Sequence, residues 1–314
     1  MTTIVPEGAT AAIPKPETAS SRAHARLTSP WASLAAAVIA ILWTVPTAGL
    51  LISSFRPEDD IKTTGWWEFF AHPHLTLSNY HAVLNGNGAS GSDLSSFLIN
   101  SIVITLPGVI IPIFLATMAA YAFAWTRFPG RNLLFVMIFA LQIVPLQVTL
   151  IPLLKLFVHP PLNLMPIAGG DAPADGLYSL WIAHTMFGLP LAIFLLHNFM
   201  REIPGELVES ARVDGAGHVQ IFTRLILPLM TPAIAAFGIL QFLWVWNDLL
   251  VAMVFANSDV APLTKALADL TGERGQDWPL LSAGAFLSMI IPMAVFLSMQ
   301  RFFVRGLLAG SVKG

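Results

Sequence analysis

The sequence has no cysteine and very little charge. Only 11% of its 314 residues are charged, whereas a soluble domain has about a quarter. Without cysteine the chain has no disulfide framework, no thiolate metal site and no cysteine nucleophile. A hydrophobic content of 55% and a mean hydropathy of +0.71 exclude an ordinary water-soluble globule and a disordered chain. A net charge of −2 offers no field for binding a nucleic acid, so we expect an integral membrane protein.

Six apolar segments are long enough to cross a bilayer as helices. Crossing roughly 30 Å of hydrocarbon takes about 20 apolar residues in an α-helix. Segments of this kind lie at residues 31–53, 97–125, 133–157, 178–200, 227–246 and 280–300. The third is interrupted by polar residues and by Pro145 and Pro152. Together the segments predict an all-α protein with six transmembrane helices.

The basic residues predict how these spans are oriented. With a cytoplasmic N-terminus, 11 of the 16 Lys and Arg residues lie on the inner side, whereas acidic residues carry little weight in this rule. Both termini are therefore predicted to be cytoplasmic. The outer loops are then residues 54–96, 158–177 and 255–279.

Residues 1–30 differ from the rest of the chain. They are rich in Ala, Thr, Ser and Pro, and they are predicted to form a flexible cytoplasmic tail that precedes the six-span domain, residues 31–314. A cleaved signal peptide is the alternative, but its apolar core has only about 7 to 15 residues. The longer first apolar run favours an uncleaved span.

The segment between the fourth and fifth spans, residues 201–228, is the most patterned of the loops. Glu209 stands three residues before Arg212, which is the spacing of a helical ion pair. Gly215 predicts the end of this first helix, because glycine readily adopts the left-handed conformation of a helix end, and Asp214 is placed to cap the next helix.

A second short helix is predicted after Gly215. Val219, Phe222 and Ile226 follow one another at helical spacing, so the helix has one apolar face. Taken alone, this pattern is also typical of an amphipathic linker that lies on the membrane surface.

The motif within this loop is more specific. Glu209-Ser210-Ala211, then Gly215, then Leu225, Leu227 and Pro228 resemble the "EAA, three residues, G, nine residues, I-x-L-P" loop of the inner-membrane permeases of binding-protein-dependent ABC importers. Ser210 and Leu225 depart from that pattern conservatively. Further segments look like the carbohydrate branch of the family and its maltose-type second permease subunit, at residues 54–61, 120–131, 246–248 and 303–314.

The resemblance implies a type I ABC importer permease fold in a bacterial or archaeal cytoplasmic (inner) membrane. In that family the loop is a coupling helix that sits in a cleft of an ATP-hydrolysing subunit. The residues implied in ATPase coupling are Glu206, Glu209, Ser210, Ala211, Arg212, Asp214, Gly215, Ala216, Phe222, Leu227 and Pro228.

The resemblance also implies which partners the chain needs. The sequence has no Gly-rich phosphate loop ending in Gly-Lys-Ser/Thr, so it does not supply the ATPase. A transporter subunit of a sugar importer is implied rather than an enzyme, with no catalytic residue and no cofactor of its own, and with ATP and Mg bound by the ATPase. The implied partners are a second permease subunit in a heterodimer, an ABC ATPase dimer, an extracytoplasmic sugar-binding protein and membrane lipid, without nucleic acid.

A translocation path needs polar groups at membrane depth. The candidates lie in the third span and at the outer end of the fifth, and they are Gln142, Gln147, Thr149, Trp244, Trp246, Asn247 and Asp248. The amides have an alternative role in hydrogen bonds to a neighbouring helix, and the tryptophans in an interfacial belt. His184 is expected to pack within the bundle, and no metal site is predicted, because no second ligand stands at the required spacing.

The outer loop before the last span is the candidate contact for a binding protein. By analogy with maltose-type relatives, the docking residues are Thr271, Gly272, Glu273, Arg274 and Gly275. A solvated loop without a partner is the alternative.

Two other classes of protein fit the sequence less well. An ion-coupled secondary transporter of a small polar solute fits proline-broken spans, but these spans have almost no ionisable residue to couple an ion. An intramembrane enzyme would need a convergent catalytic set, and the eight histidines are scattered. The transported sugar stays open.

Overall fold

Apolar helices make up most of the chain. The computed structural model of the protein describes residues 30–85, 93–170, 172–271 and 278–309, with the backbone alone at Asn163, Thr271 and 301–309. Over these residues the regular structure is helical and contains no β-strand, which confirms the all-α prediction. The chain divides into two compact units, Met1–Ile52 and Ser53–Gly314.

The helices follow one another in a simple order. They are α1 (Pro30–Ser54), α2 (Glu58–Thr63), α3 (Ser78–Asn85), α4 (Leu94–Trp125), α5 (Arg131–Ala140), α6 (Leu146–Val158), α7 (Leu177–Arg201), α8 (Gly205–Val213), α9 (His218–Gln220), α10 (Leu227–Trp246), α11 (Leu250–Phe255), α12 (Leu263–Thr271) and α13 (Trp278–Ala309). Short 3-10 turns lie at Trp66–Phe70, Leu141–Ile143, Pro161–Asn163, Pro173–Gly176 and Ser258–Val260, and a π-helical turn at Ile221–Ile226 joins α9 to α10.

Five of the six predicted spans are single long helices. Within the described residues, α1, α4, α7, α10 and α13 are each long and apolar enough to cross a membrane. In the first unit, α1 exposes large apolar side chains such as Trp43, which is 80% exposed. In the second unit, α4 packs most extensively against α7, and α10 packs against both α4 and α13.

The predicted third span is broken. α5 and the 3-10 turn after it meet α6 at 104°, so this part of the chain is a broken span or a re-entrant loop. Pro145 lacks a backbone N–H and disfavours the α conformation of the residue before it. Val144 and Pro145 accordingly have extended backbones, with ψ of 119° and 132°. The interruption predicted within residues 133–157 is thus a sharp break beside Pro145.

Two prolines within α4 each leave one backbone carbonyl without its helical donor. Proline has no N–H, so the carbonyl four residues earlier loses its hydrogen bond. Pro107 and Pro112 thereby free the carbonyls of Val103 and Gly108. In a hydrocarbon environment an unpaired carbonyl costs several kcal/mol, so each needs another donor.

Side chains of neighbouring helices supply these donors. Trp181 on α7 donates from Nε1 to the Val103 carbonyl at 3.0 Å. Gln241 on α10 donates from Nε2 to the Gly108 carbonyl at 3.2 Å. The prolines of α4 therefore create two polar contacts that hold α7 and α10 at defined heights.

The same arrangement joins α10 to α13. Pro292 frees the carbonyl of Ser288, and Trp246 donates to that carbonyl from Nε1 at 3.1 Å. Trp246 is only 4% exposed and its ring stacks on Phe242. Its indole is thus used to satisfy a carbonyl inside the bundle.

The segment after α1 is folded around a buried arginine. Arg56 is 3% exposed, and its guanidinium donates to the carbonyls of Gly65 and Asp60 and to the hydroxyl of Thr64. The side-chain amide of Asn79 donates to the carbonyl of Arg56 at 2.8 Å. This part of the predicted outer loop is therefore an ordered structure.

The Trp246 contact leads to a testable expectation. Trp246→Phe keeps the apolar ring but leaves the Ser288 carbonyl unpaired, which should cost about 1–3 kcal/mol and lower the thermal denaturation midpoint in detergent. Adding Pro292→Ala restores a backbone N–H to α13 and should recover most of the loss. Trp67→Phe is the matched control at a 64% exposed position. An unchanged midpoint in Trp246→Phe would contradict the assignment.

Candidate functional site

The first helix of the patterned loop ends as its sequence indicates. α8 stops at Val213, and Gly215 has a φ of +84°. The N–H of Gly215 donates to the carbonyl of Arg212 at 3.0 Å, and that of Ala216 to the carbonyl of Ala211 at 2.9 Å. This pair of bonds is a Schellman motif, which requires a left-handed residue at the position of Gly215. Its chain neighbours aside, a Cβ on Gly215 would meet no atom of the described residues within 4 Å.

The second helix begins later than expected. Gly217 is its N-terminal cap, and the Gly217 N–H donates to Oε1 of Gln220 at 3.1 Å. The prediction that Asp214 caps this helix is therefore wrong. Likewise, Arg212 does not pair with Glu209; its Nη2 is directed at the carbonyl of Trp125, 3.4 Å away.

The π-helical turn changes which side chains of the loop face the protein. Its i→i+5 bonds add a residue to the turn and shift the apolar face. Ile221 and Ile226 are buried, whereas Val219 is 76% exposed. The predicted apolar stripe of Val219, Phe222 and Ile226 is thus wrong for Val219.

Aromatic and polar contacts attach this loop to the end of α4. The ring of Phe222 lies edge-on to Tyr121, with centroids 5.2 Å apart. The Tyr121 hydroxyl is 3.0 Å from Nδ1 of His218. Phe222 therefore packs within the chain. The most exposed apolar side chains on the loop are instead Val213, at 88%, and Val219.

The remaining loop residues implied in coupling stay accessible. Glu206, Glu209, Ser210, Arg212, Asp214, Gly215, Leu227 and Pro228 are exposed, and Ala211 and Ala216 are half-buried. A surface groove of about 500 Å³ runs between α8 and the π turn. Val208, 1% exposed, anchors α8 beneath it.

A larger cavity of about 790 Å³ lies between the broken third span, α7 and α10. Five of the seven side chains predicted for the translocation path line it: Gln142, Gln147, Thr149, Trp244 and Asp248. Residues on α10 reach the cavity at helical spacing and form one face of the helix. They are Phe237, Leu240, Gln241 and Trp244, with Asp248 just beyond the helix end.

Trp246 and Asn247, which were also predicted for the path, are not among the residues that line this cavity. Trp246 is two residues, and therefore about 200°, beyond Trp244 on the helix, so it points away from the face that carries Trp244. Asn247 is the C-terminal cap of α10. Trp246 faces α13, and Asn247 donates from Nδ2 to the carbonyl of Leu243 at 2.7 Å. Because Trp246, Asn247 and Asp248 are adjacent in the sequence, they were predicted as one group, although Asp248 alone of the three lines the cavity.

Gln241 is the cavity residue that the sequence analysis missed. It is 4% exposed and lies three residues before Trp244 and seven before Asp248, so the helical spacing was the available signal. Gly188 on α7 leaves room for it, because a side chain there would come within 2.6 Å of its amide nitrogen.

Asp248 combines a structural contact with a position on the cavity. Its Oδ2 accepts hydrogen bonds from the backbone N–H groups of Val251 and Ala252, at 3.0 and 3.2 Å, and so caps α11. Burial raises the pKa of Asp248 to about 6, even though these hydrogen bonds act to lower it.

The other predicted site residues are placed as follows. Gly272, Glu273, Arg274 and Gly275 lie outside the described residues, and α12 ends at Thr271. His184 is buried and stands edge-on to Trp244, with ring centroids 5.8 Å apart. Among the residues that the structure describes, no group of three His, Asp or Glu side chains is arranged to hold a metal ion.

Comparison with known proteins identifies the family. Residues 108–308 match the family described as the binding-protein-dependent transport system inner membrane component. The chain belongs to this family. The resemblance carried by the loop motif is thereby confirmed, and the permease is a multi-pass inner-membrane transport subunit of an ABC importer and not an enzyme.

Several curated relatives match the permease over nearly its whole length. The osmoprotective compounds uptake permease protein GgtD of Synechocystis sp. is 51% identical over 89% of this chain and 91% of the relative. The alpha-glucoside transport system permease protein AglG of Rhizobium meliloti is 38% identical over 90% and 97%. The trehalose transport system permease protein SugB of Mycobacterium tuberculosis is 35% identical over 92% and 99%.

A solved structure has the same fold as the permease. A bacterial ABC transporter involved in the import of the acidic polysaccharide alginate superposes with a TM-score of 0.66 at 20% identity, over 91% of this chain and 98% of that chain. Membership of the ABC importer family also excludes the alternative of an ion-coupled secondary transporter.

The environment of Asp248 leads to a pH-dependent expectation. A carboxyl group with a raised pKa in the folded state stabilises the protein while protonated; this contribution is complete below pH 3.8 and is lost as the pH rises through about 6. Asp248→Asn removes the ionisation. From about pH 5 to about pH 7.5 the unmodified permease should lose thermal stability relative to Asp248→Asn. Asp259→Asn, at an exposed position, controls for the loss of one carboxylate. Parallel pH profiles for the unmodified permease and Asp248→Asn would contradict this reading.

Proposed function

We propose that the permease forms half of the translocation pathway of an ATP-driven importer for sugars or sugar-like osmolytes. The observation that carries the proposal is the cavity between α7, α10 and the broken third span, which is lined by side chains with amide, hydroxyl and carboxylate groups together with Trp244. Aromatic faces combined with such polar groups suit a sugar ring. The names of the relatives, which mention osmoprotective compounds, alpha-glucosides and trehalose, favour the same class of solute.

The other half of the pathway comes from a second permease subunit in a heterodimer. An extracytoplasmic sugar-binding protein delivers the solute to the outer loops, and residues 271–275 are the proposed contact before the last span. Support comes from a solved relative of the same fold, a bacterial alginate ABC transporter in complex with a pentasaccharide-bound periplasmic protein. Both termini lie in the cytoplasm, as the distribution of Lys and Arg favours.

An ABC ATPase dimer binds ATP and Mg and docks on the loop formed by α8 and the π turn. The permease itself binds no cofactor in this proposal. Two features of the loop support docking: the groove of about 500 Å³ and the exposed side chains of Val213 and Val219. Exposed apolar side chains next to charged ones are typical of a protein contact.

The proposed function is tested by reconstitution. The permease is purified with its second permease subunit and ATPase, inserted into liposomes, and supplied with its binding protein and sugars chosen from a thermal-shift screen of that protein. ATP-dependent accumulation of a sugar is expected. A complex that hydrolyses ATP but accumulates none of the sugars that the binding protein binds would contradict the proposal.

Two substitutions of Gly215 distinguish the left-handed backbone conformation that the loop needs from the open space beside its backbone. Gly215→Val opposes the positive φ, which should strain the loop by about 1–2 kcal/mol and reduce both uptake and co-purification of the ATPase. Gly215→Asn tolerates the left-handed conformation but adds a side chain where this chain leaves open space. If the ATPase approaches the backbone closely, Asn should impair uptake as Val does. Gly217→Ala, at a φ of −76°, is the control. Normal uptake and co-purification in Gly215→Val would refute the role of this loop.

Val213 and Val219 test the docking surface directly. Because both side chains are exposed, Val213→Ala with Val219→Ala should leave the fold intact while weakening ATPase co-purification by about tenfold, as truncation of interface anchors does. Val148→Ala, at a 66% exposed position on α6, is the control. Equal recovery of the ATPase with the unmodified permease, the double variant and Val148→Ala would exclude the Val213 and Val219 side chains from the interface.

A further inference from the structure

The cavity-facing side of α10 has two hydrogen-bond acceptors with an aromatic ring between them. Gln241, Trp244 and Asp248 follow at intervals of three and four residues, so they form one stripe along the cavity. At 1.5 Å per residue, the two acceptors are separated by about 10 Å along the helix axis. We propose that Gln241 and Asp248 form an acceptor pair that selects an uncharged, hydroxyl-bearing solute and rejects an anionic one. This inference rests on the proposed function.

The orientation of the Gln241 amide follows from the defect in α4. Its Nε2 donates to the carbonyl of Gly108, which Pro112 deprives of a helical donor. A carbonyl accepts only, so the nitrogen of the amide must face α4. Within the described residues no group donates to Oε1, and Gln241 lines the cavity. The oxygen is therefore available to a hydroxyl inside the cavity.

The position of this amide is restricted from the opposite side. Gly188 on α7 has no side chain, and an added Cβ would lie 2.6 Å from Nε2 and 2.8 Å from Oε1 of Gln241. Such contacts are shorter than packed atoms tolerate, so any larger residue at this position would displace Gln241. Gly188 thus acts as a positioning residue for the acceptor.

The ring between the acceptors is also supported. Trp244 is 38% exposed and borders the cavity, and the buried ring of His184 stands edge-on behind it. A supported aromatic face can stack against the apolar face of a sugar while the acceptors bind its hydroxyls. The stripe therefore offers a ring platform and an acceptor on either side of it.

Charge in the cavity favours a neutral solute. Asp248 is the one ionisable group among the described lining residues, and no Lys, Arg or His accompanies it there. A carboxylate accepts strong hydrogen bonds from hydroxyl groups but repels a second carboxylate in a poorly solvated space. The cavity thus lacks the basic groups that an acidic sugar would require.

The experiment uses the reconstituted complex with its second permease, ATPase and binding protein. The probes are trehalose, a series of monodeoxy trehaloses, and the uronic acid derived from trehalose. For each variant the uptake of one probe is divided by the uptake of another. All variants are measured with the same binding protein, so the selectivity of the binding protein does not affect the comparison between variants. The unmodified complex is expected to transport trehalose faster than at least one deoxy derivative.

Gln241→Leu removes the acceptor but also leaves the Gly108 carbonyl unpaired, so it is made in a Pro112→Ala background, where α4 recovers its own donor. Compared with Pro112→Ala alone, uptake of trehalose should fall by about tenfold or more, whereas uptake of the deoxy derivative that lacks the recognised hydroxyl should change little. A purely structural role would reduce both by the same factor. Gly188→Ala should lower the ratio of trehalose uptake to deoxy-derivative uptake in the same way. Gln300→Leu, at an exposed glutamine in α13, is the control.

Asp248→Asn tests the second acceptor. It should raise uptake of the uronic acid relative to trehalose by about tenfold or more. Unchanged ratios in Gln241→Leu, Gly188→Ala and Asp248→Asn, with normal co-purification of the ATPase, overturn the inference while leaving the proposed function intact. Failure of the unmodified complex to transport trehalose or any other neutral sugar overturns the proposed function, and the inference with it.

Discussion

The bundle depends on satisfying backbone carbonyls that its own prolines leave without donors. Val103, Gly108 and Ser288 each stand four residues before a proline, and each accepts a hydrogen bond from a side chain on another helix. In water such carbonyls would be hydrated at little cost, but in hydrocarbon they must be paired within the protein. A local defect in one helix thereby becomes a specific contact between two helices, and these contacts determine which face of α10 is left for the cavity.

Small residues allow α4, α7 and α10 to cross closely. A side chain on Gly108 would come within 3.2 Å of Val245, and one on Gly188 would collide with Gln241. Small residues allow helices in a membrane to approach closely, where van der Waals contact replaces the hydrophobic effect as the source of stability. The cavity begins where this close packing ends, beside the break at Pro145.

Much of the fold could be predicted from composition, because the bilayer imposes a length and an apolar character on each span. The end of α8 was also readable, since Gly215 suits the left-handed position of a Schellman motif. The break after Val144 and the π turn were not readable as such, because a proline permits several outcomes and π-helical bonding has no simple residue pattern. The division of Trp244 from Trp246, and the position of Gln241 on the same face as Trp244, both depend on the helical phase of α10.

The π turn between α9 and α10 has a consequence for how the molecule combines two surfaces. Val219 and the stripe that bears Gln241 and Trp244 lie on one continuous helical segment, from His218 to Trp246, so the number of residues between them sets their relative direction. The π turn holds one residue more than an α-helical turn, so an α-helical Ile221–Ile226 of unchanged length would rotate one surface against the other by about 100°. The wide turn therefore sets the direction of the exposed loop face around Val219 relative to the cavity-lining face of α10.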